Sequence, residues 1–461
     1  MSRTIIRGGT IATSEGRFAA DIACANGLIA EIGQDIVAGE GDLELSAEGK
    51  LVLPGGIDVH THFSEPFMGM VTADDFTTGG EGALAGGITS HIDFAFQYKG
   101  ETLQQAVDNW HARAEGRAVI DYGFHVAITD LRPDTRDEIP RMVEAGYSSF
   151  KVFMTYPALV VFDDDLLEIL RLVGGAGGRV SVHAENYAMS NSLIETLLAE
   201  GKTEPRWHAV ARPWMSEWEA TVRAMALARV YGAPLYVVHM SAEASVAEVA
   251  AARADGQPVI GETCIHYLVM TEEKLAAEGF EGARYICSPP LRTKQHQDAL
   301  WAALHDRTLQ VVGSDHAPFT MADRRKMGAD DFSKIPNGVA GIEQVRPLLW
   351  SEGVAKGRLS VERFVEVTAT NPARAFGMWP RKGGVVVGGD ADLVIWDPDL
   401  RTVLSMETTH SATDYCLYEG REVHGGAAVT ISRGEVVWQD GKLSARPGRG
   451  RFVPRTEVAH V

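Results

Sequence analysis

His60-Thr61-His62 puts two imidazoles two residues apart. In an extended strand both face the same way. Further along stand Lys151, His183, His239 and Asp315, each at or near the end of a short apolar run. A pair of imidazoles on one face, followed by more His and an Asp, suits a zinc-like divalent ion. A single histidine at a strand end is ordinarily a hydrogen-bonded core or rim residue. The company of the others favours a metal site here. His91, His125, His208, His266 and His410 lack such company and read as structural; His316, next to Asp315, is a candidate to orient the site.

Lys151 requires separate treatment, because an ammonium beside two cations is repulsive. Burial lowers a lysine pKa and favours the neutral amine. That amine can add carbon dioxide to give an anionic carbamate with two oxygens, able to bridge two metals. A buried lysine paired with an acid, or one reaching to solvent, fits the position equally well. Two ions about 3.5–4 Å apart can share a hydroxide and lower the pKa of its parent water towards about 7. Asp315 would then act as general base and acid, taking the proton and passing it to a leaving nitrogen. Tyr156 follows the Lys151 run, where its phenol either donates to a developing oxyanion or simply packs.

Eight short runs must position these groups: 56–62, 88–95, 122–129, 149–155, 179–185, 234–240, 258–264 and 309–315. Helical patterns separate them, including 163–173 and 217–232. The second has Ser216 and Glu219 in capping-box spacing and ends at Gly232. Strands alternating with helices predict an α/β fold, a (β/α)8 TIM-like barrel, with a doubly wound open sheet as the other architecture. Barrel active sites lie at the C-terminal ends of the strands, so the candidate ligands converge on one mouth. Residues 1–53 and 384–461 read instead as short strands between glycines, predicting one small β-sandwich built from both termini around a 54–383 barrel. The last ten or so residues read as a tail or arm.

The chain has 461 residues and a formal net charge of −19, which opposes binding to nucleic acid or anionic membranes. Four cysteines without a CxxC pair suggest a reducing compartment. With no signal-peptide or membrane-spanning stretch, a soluble cytoplasmic protein is expected.

The motifs GGIDVHTHF (55–63), PFMGMVTADDF (66–76), FKVFMTY (150–156), SVHAEN (181–186), LYVVHMS (235–241), GETC (261–264), SPPLR (288–292), GSDHAPF (313–319) and IPNGVAGIE (335–343) resemble the dihydropyrimidinase and D-hydantoinase family of cyclic amidohydrolases. FGMWPRKG (376–383) and ADLVIWDP (391–398) extend the match over nearly the whole chain. The resemblance implies hydrolytic opening of 5,6-dihydropyrimidine or hydantoin rings to N-carbamoyl amino acids. It implies that His60, His62 and Asp315 bind one divalent ion, that His183 and His239 bind the other, and that a carboxylated Lys151 bridges them. Zinc is the default, with manganese or cobalt compatible. Tyr156 would polarise the scissile carbonyl, and Ser288 and Asn337 would hold the ureide, largely through backbone groups. Members are commonly homotetramers. Phe63, Glu65, Phe96, Phe153 and Leu159 would shape the pocket for the ring's exocyclic substituent.

The chain departs from the family in places. Tyr187 and Ala188 follow HAEN where GD is frequent, Thr155 and Pro157 flank Tyr156, and Glu65 stands where apolar residues are usual. The last suggests a substituent pocket more polar than an aryl hydantoin needs. GETCIHYL (261–268) leans towards allantoinases. Dihydroorotase-like enzymes carry an arginine soon after HxH to grip a carboxylate; here Phe63, Ser64 and Glu65 follow. The non-catalytic collapsin response mediators share the fold but lack metal ligands that this chain retains. A single-metal deaminase would show HxxE near the sixth strand, where this chain has His239-Met240-Ser241-Ala242.

Overall fold

The computed structural model describes residues 2–67, 69–455 and 458–461. Met68, within the PFMGMVTADDF motif, and Thr456 and Glu457, within the expected arm, lie outside the described residues. The eight apolar runs form eight strands: β1 Gly56–Thr61, β2 Ile88–Phe96, β3 Asp121–Ala127, β4 Ser149–Phe153, β5 Arg179–His183, β6 Leu235–Val237, β7 Val259–Cys264 and β8 Val311–Gly313. Each pairs in parallel with the next, in chain order. β8 returns to β1 through a bridge between Thr61 and His316, and the His62 amide donates to the His316 carbonyl at 2.9 Å. Every residue of β1, β2 and β3 is buried, as expected of parallel strands covered on both faces. The sheet is a TIM barrel, and the open doubly wound alternative does not hold.

Helices cover the outside. Asp163–Gly175 opens on three aspartates that complement the helix dipole. Trp214–Tyr231 ends at Gly232, whose φ of +61° requires the left-handed region that glycine enters freely. The expected capping box at its start is not formed. The helix begins three residues earlier, after Pro213, and Ser216 and Glu219 lie within it. They instead hold Asn186: its amide donates to Ser216 Oγ at 2.8 Å and its side chain to Glu219. Asn186 in turn caps the helix Tyr187–Ala199.

Two further sheets come from the termini. In the larger, Leu51–Pro54 pairs antiparallel with Leu393–Val403, so the two ends of the chain share one sheet. Ile6, Ile11, Ile22, Val52, Ile395 and Ile431 share the core where it meets the four-stranded sheet of Thr4–Arg7, Asp21–Ala25, Leu28–Gly33 and Leu43–Ser46. Lys382 ties this region to the barrel. Its ammonium lies 2.9 Å from Asp121 at the start of β3, and 3.0 and 2.6 Å from Asp390 and Asp392. That triad of aspartates is therefore filled by a lysine.

The described part of the C-terminal segment is a packed seam. The Tyr122 amide donates to Arg451 at 2.9 Å and the Val453 amide to Tyr122 at 2.8 Å. Phe452 meets the rings of His111, Tyr122, Phe124 and Tyr147, and buried Arg455 donates to Ser149 Oγ at 2.7 Å. This seam seals the end of the barrel opposite the candidate ligands.

Candidate metal centre

The candidate ligands meet at the C-terminal mouth of the barrel and line one cavity: His60, His62, Lys151, His183, His239 and Asp315. Three of the residues here have left-handed backbone although none is glycine: Tyr156 at φ +68°, His239 at +40° and Asp315 at +50°. Each follows the end of β4, β6 or β8 by two or three residues, and the turn swings its side chain into the mouth. Such conformations persist only where the surroundings impose them, and they gather at functional sites.

Asp315 Oδ1 lies 3.1 Å from His60 Nε2 and 3.2 Å from His62 Nε2. His183 Nδ1 lies 2.9 Å from His239 Nε2. Ligands bonded at about 2.0–2.1 Å to a tetrahedral ion are separated by about 3.3 Å, so the first three atoms stand close to that spacing. The other ring nitrogens of His60, His62 and His183 are engaged, while His239 Nδ1 is buried without a partner among the described residues. His60 Nδ1 donates to Glu262 at 2.7 Å, His62 Nδ1 to Glu65, and His183 Nε2 to Glu185 at 2.7 Å. Glu262 also accepts from the His239 amide at 3.0 Å and the Tyr236 hydroxyl at 2.7 Å, which joins the two halves of the site. Arg212 braces Glu185 at 2.9 Å. These carboxylates fix which ring nitrogen carries the proton and leave the opposite lone pair facing the cavity.

The electrostatics suit cations. Burial lowers the pKa of His183, and that of His239 further, keeping both rings neutral as metal ligation requires. Burial also opposes charge on His62, but the Glu65 and Asp315 carboxylates override it and lift the ring to about 10. Against its own burial, Asp315 is held well below the usual carboxylate range by His60 and His62. Burial brings Lys151 down to about 8 despite neighbouring Asp315 and Glu262, so a neutral amine is accessible near neutral pH. The donor set, its spacing and its excess of negative charge all fit divalent ions.

Tyr156, Ser288 and Asn337 line the same cavity. Burial raises the Tyr156 phenol to about 12, so it stays a protonated donor. Asn337 Oδ1 is buried with no partner, an acceptor left free for a ligand N–H. Phe96, Phe153 and Leu159 form the apolar wall with Phe67 and Phe319, two residues the sequence reading did not single out. The cavity wall is thus largely aromatic, with Glu65 as a carboxylate in it.

Phe63 does not shape the pocket. The chain turns at Ser64, with φ +53°, and Phe63 points away from the cavity against Phe76, His91 and His316. It is seated on the helix Thr78–Ala85, where a Cβ on Gly79 would meet its ring at 2.3 Å. Gly79→Ala is expected to destabilise the fold by about 1–3 kcal/mol by overpacking, read as a lowered urea midpoint at unchanged m-value. The His316 side chain also faces elsewhere, bonding Asp74 at 3.0 Å and the Gly341 amide at 3.0 Å; only its backbone braces β1. His91, His125, His208 and His410 are hydrogen-bonded as structural residues, and His266 packs at a tilt against Tyr267.

Residues 51–437 match the amidohydrolase family. Over its full length the chain is 44% identical to a D-hydantoinase of Streptomyces coelicolor, covering 99% of that protein. It is 44% identical to a D-hydantoinase of Geobacillus stearothermophilus over 98% of this chain and 96% of that one. The crystal structure of a dihydropyrimidinase from Brevibacillus agri superposes with a TM-score of 0.98 at 43% identity, covering both chains completely.

Proposed function

The chain belongs to the amidohydrolase family, among its D-hydantoinase and dihydropyrimidinase members, and on that premise we propose that it opens hydantoin or 5,6-dihydropyrimidine rings to N-carbamoyl amino acids. The observation that carries this reading is the single cavity in which His60, His62, Lys151, His183, His239 and Asp315 meet beside Tyr156 and Asn337.

His60, His62 and Asp315 would hold one divalent ion and His183 and His239 the other, with Lys151, as its carbamate, shared between them. Zinc is the first choice and manganese or cobalt suit the same donors. Bound there, the ions would supply a nucleophile by lowering the pKa of a water held between them. Asp315, which lines the same cavity, would accept the proton of the attacking water and deliver it to the ring nitrogen as the C–N bond breaks. Tyr156 donates to the carbonyl oxygen as negative charge gathers on it. Asn337 and Ser288 hold the ureide and so choose which carbonyl faces the nucleophile. Phe67, Phe96, Phe153 and Leu159 take the exocyclic substituent and exclude water.

The working unit would be the barrel of residues 54–383 carrying the sandwich of 1–53 and 384–461. A homotetramer is part of the proposal, and the exposed apolar side chains Val210, Trp214, Met215 and Trp218 are candidates for burial against another copy of the chain. No described helix is long and apolar enough to cross a membrane; a cytoplasmic location remains part of the proposal.

The test is hydrolysis of hydantoin, 5,6-dihydrouracil, allantoin and dihydroorotate by zinc- or manganese-replete protein, followed through the carbamoyl products. Turnover of either of the first two is expected, and their ratio ranks the natural substrate. Turnover of allantoin alone would move the enzyme to the allantoinases. Two metals per chain with no turnover of any ring would overturn the substrate, and absence of bound metal would overturn the metal centre.

A further inference from the structure

Three histidines of the centre each lean on a carboxylate: His60 on Glu262, His183 on Glu185 and His62 on Glu65. Glu262 and Glu185 are fully buried behind the site. Among the described residues, Glu65 is the one of the three that also lines the substrate cavity. Its acid puts a carboxylate into a cavity wall that Phe67, Phe96, Phe153 and Phe319 otherwise make aromatic.

The loop holds Glu65 firmly. Its amide donates to Thr72 Oγ1 at 2.9 Å, its carbonyl accepts from the Thr72 amide at 3.0 Å, and Thr72 Oγ1 donates to the His62 carbonyl at 2.7 Å. The side chain is 4% exposed, and Oε2 accepts from His62 Nδ1. That bond holds the His62 ring with Nε2 turned to Asp315 and the cavity, the orientation a metal ligand needs once an ion takes the place of the Nε2 proton. The same carboxylate sits among Phe67, Phe96, Phe153 and Phe319, where the low local dielectric strengthens its field.

We propose that Glu65 is a positioning residue for His62 and, through the same carboxylate, makes the substituent pocket exclude acidic ring substituents. The second half rests on the ring-opening function proposed above; the first does not. An acidic substituent entering this pocket meets a fixed negative charge close to the reacting ring. The chain lacks the arginine after HxH that would grip such a group, and Glu65 reverses the sign of charge there.

The experiment uses Glu65→Gln, which keeps the size and one acceptor, and Glu65→Met, which removes both charge and hydrogen bond. Zinc affinity is measured by chelator competition on the folded, metal-loaded chain. In parallel, kcat/KM is compared for three 5-substituted hydantoins of equal length ending in methyl, ammonium or carboxylate. Zinc binding is expected to weaken about 10–100-fold in Glu65→Met and less in Glu65→Gln, with one of the two ions lost first. In both variants the carboxylate-to-methyl ratio should rise on the order of tenfold, while the ammonium-to-methyl ratio falls. Zinc affinity unchanged in Glu65→Met overturns the positioning role. Unchanged ratios in Glu65→Gln overturn the charge role, and that variant preserves packing should Glu65→Met fold poorly. Wild-type protein that opens none of the three hydantoins sinks the ring-opening reading, and the zinc titration then still decides whether Glu65 positions His62.

Discussion

Lys151→Ala is expected to lose at least about 10³-fold in kcat/KM and to retain fewer than two metal ions per chain. The lysine is 1% exposed, in the middle of β4, and burial brings its amine to about 8. Its nitrogen lies over the rings of Phe94 at 4.7 Å and Phe153 at 5.1 Å, and among the described residues no carboxylate is in ion-pair contact with it. A buried ammonium without such a partner is costly, which favours the neutral form. On the proposed role, the neutral amine would attack carbon dioxide, forming a C–N bond and passing the nitrogen's proton to water, to leave an anionic carbamate. Removing the side chain removes both carbamate oxygens and leaves a hole of matching shape. Short carboxylic acids, acetate or propionate, are therefore expected to restore part of the activity in a concentration-dependent way. Metal content is read by elemental analysis and rescue by initial rates. Full activity in Lys151→Ala with two ions bound would sink the bridging role and return Lys151 to a structural lysine.

The reach of sequence reading differed between residues for physical reasons. The eight barrel strands were legible because strands buried on both faces read as continuous apolar, β-branched runs, and the structure shifts only their ends. β6 keeps three residues, Leu235–Val237, so His239 sits beyond it in a left-handed turn. Its delivery to the cavity was still legible, because the C-terminal ends of barrel strands lie at the mouth and this turn points the ring inward. Phe63 was misread for the converse reason. Alternation along β1 stops at Thr61, and the turn at Ser64 reverses the direction that proximity to His62 suggested.

Partners distant in sequence were hidden. Glu262 reaches His60 across 202 residues, and only the identity of an acid within a buried strand hinted at it. Glu185 had a better signal, two residues after His183. Ser216 and Glu219 matched a capping pattern but are drawn to Asn186, thirty or more positions away. Local propensity yields when a tertiary partner offers a stronger bond. The C-terminal segment read as an arm because arginine and proline are ordinarily surface residues; Arg455 is nevertheless buried, its guanidinium held by Ser149 and the Phe124 carbonyl.

Tyr156→Phe isolates the other large contribution. The substitution removes one hydroxyl and leaves the ring contacts: His183 at 5.3 Å between centroids, and the Arg212 guanidinium 5.1 Å from the ring. None of the residues that converge on Asp315 or on the His183–His239 pair loses a partner, so metal content should be unchanged. What disappears is a donor aimed at the oxygen on which charge develops. Loss of one such donor costs about 10²–10³-fold in kcat. The substrate carbonyl carries far less charge than the tetrahedral species, so KM should move only a few-fold. kcat and kcat/KM then fall together, the signature of an interaction made in the transition state. With its phenol pushed up to about 12, Tyr156 remains protonated across the neutral range, and the deficit should not vary with pH there. A raised KM at intact kcat would instead make Tyr156 a packing aromatic at the strand end. The left-handed backbone at this residue speaks against that outcome, because a ring needed only for packing does not call for φ of +68°.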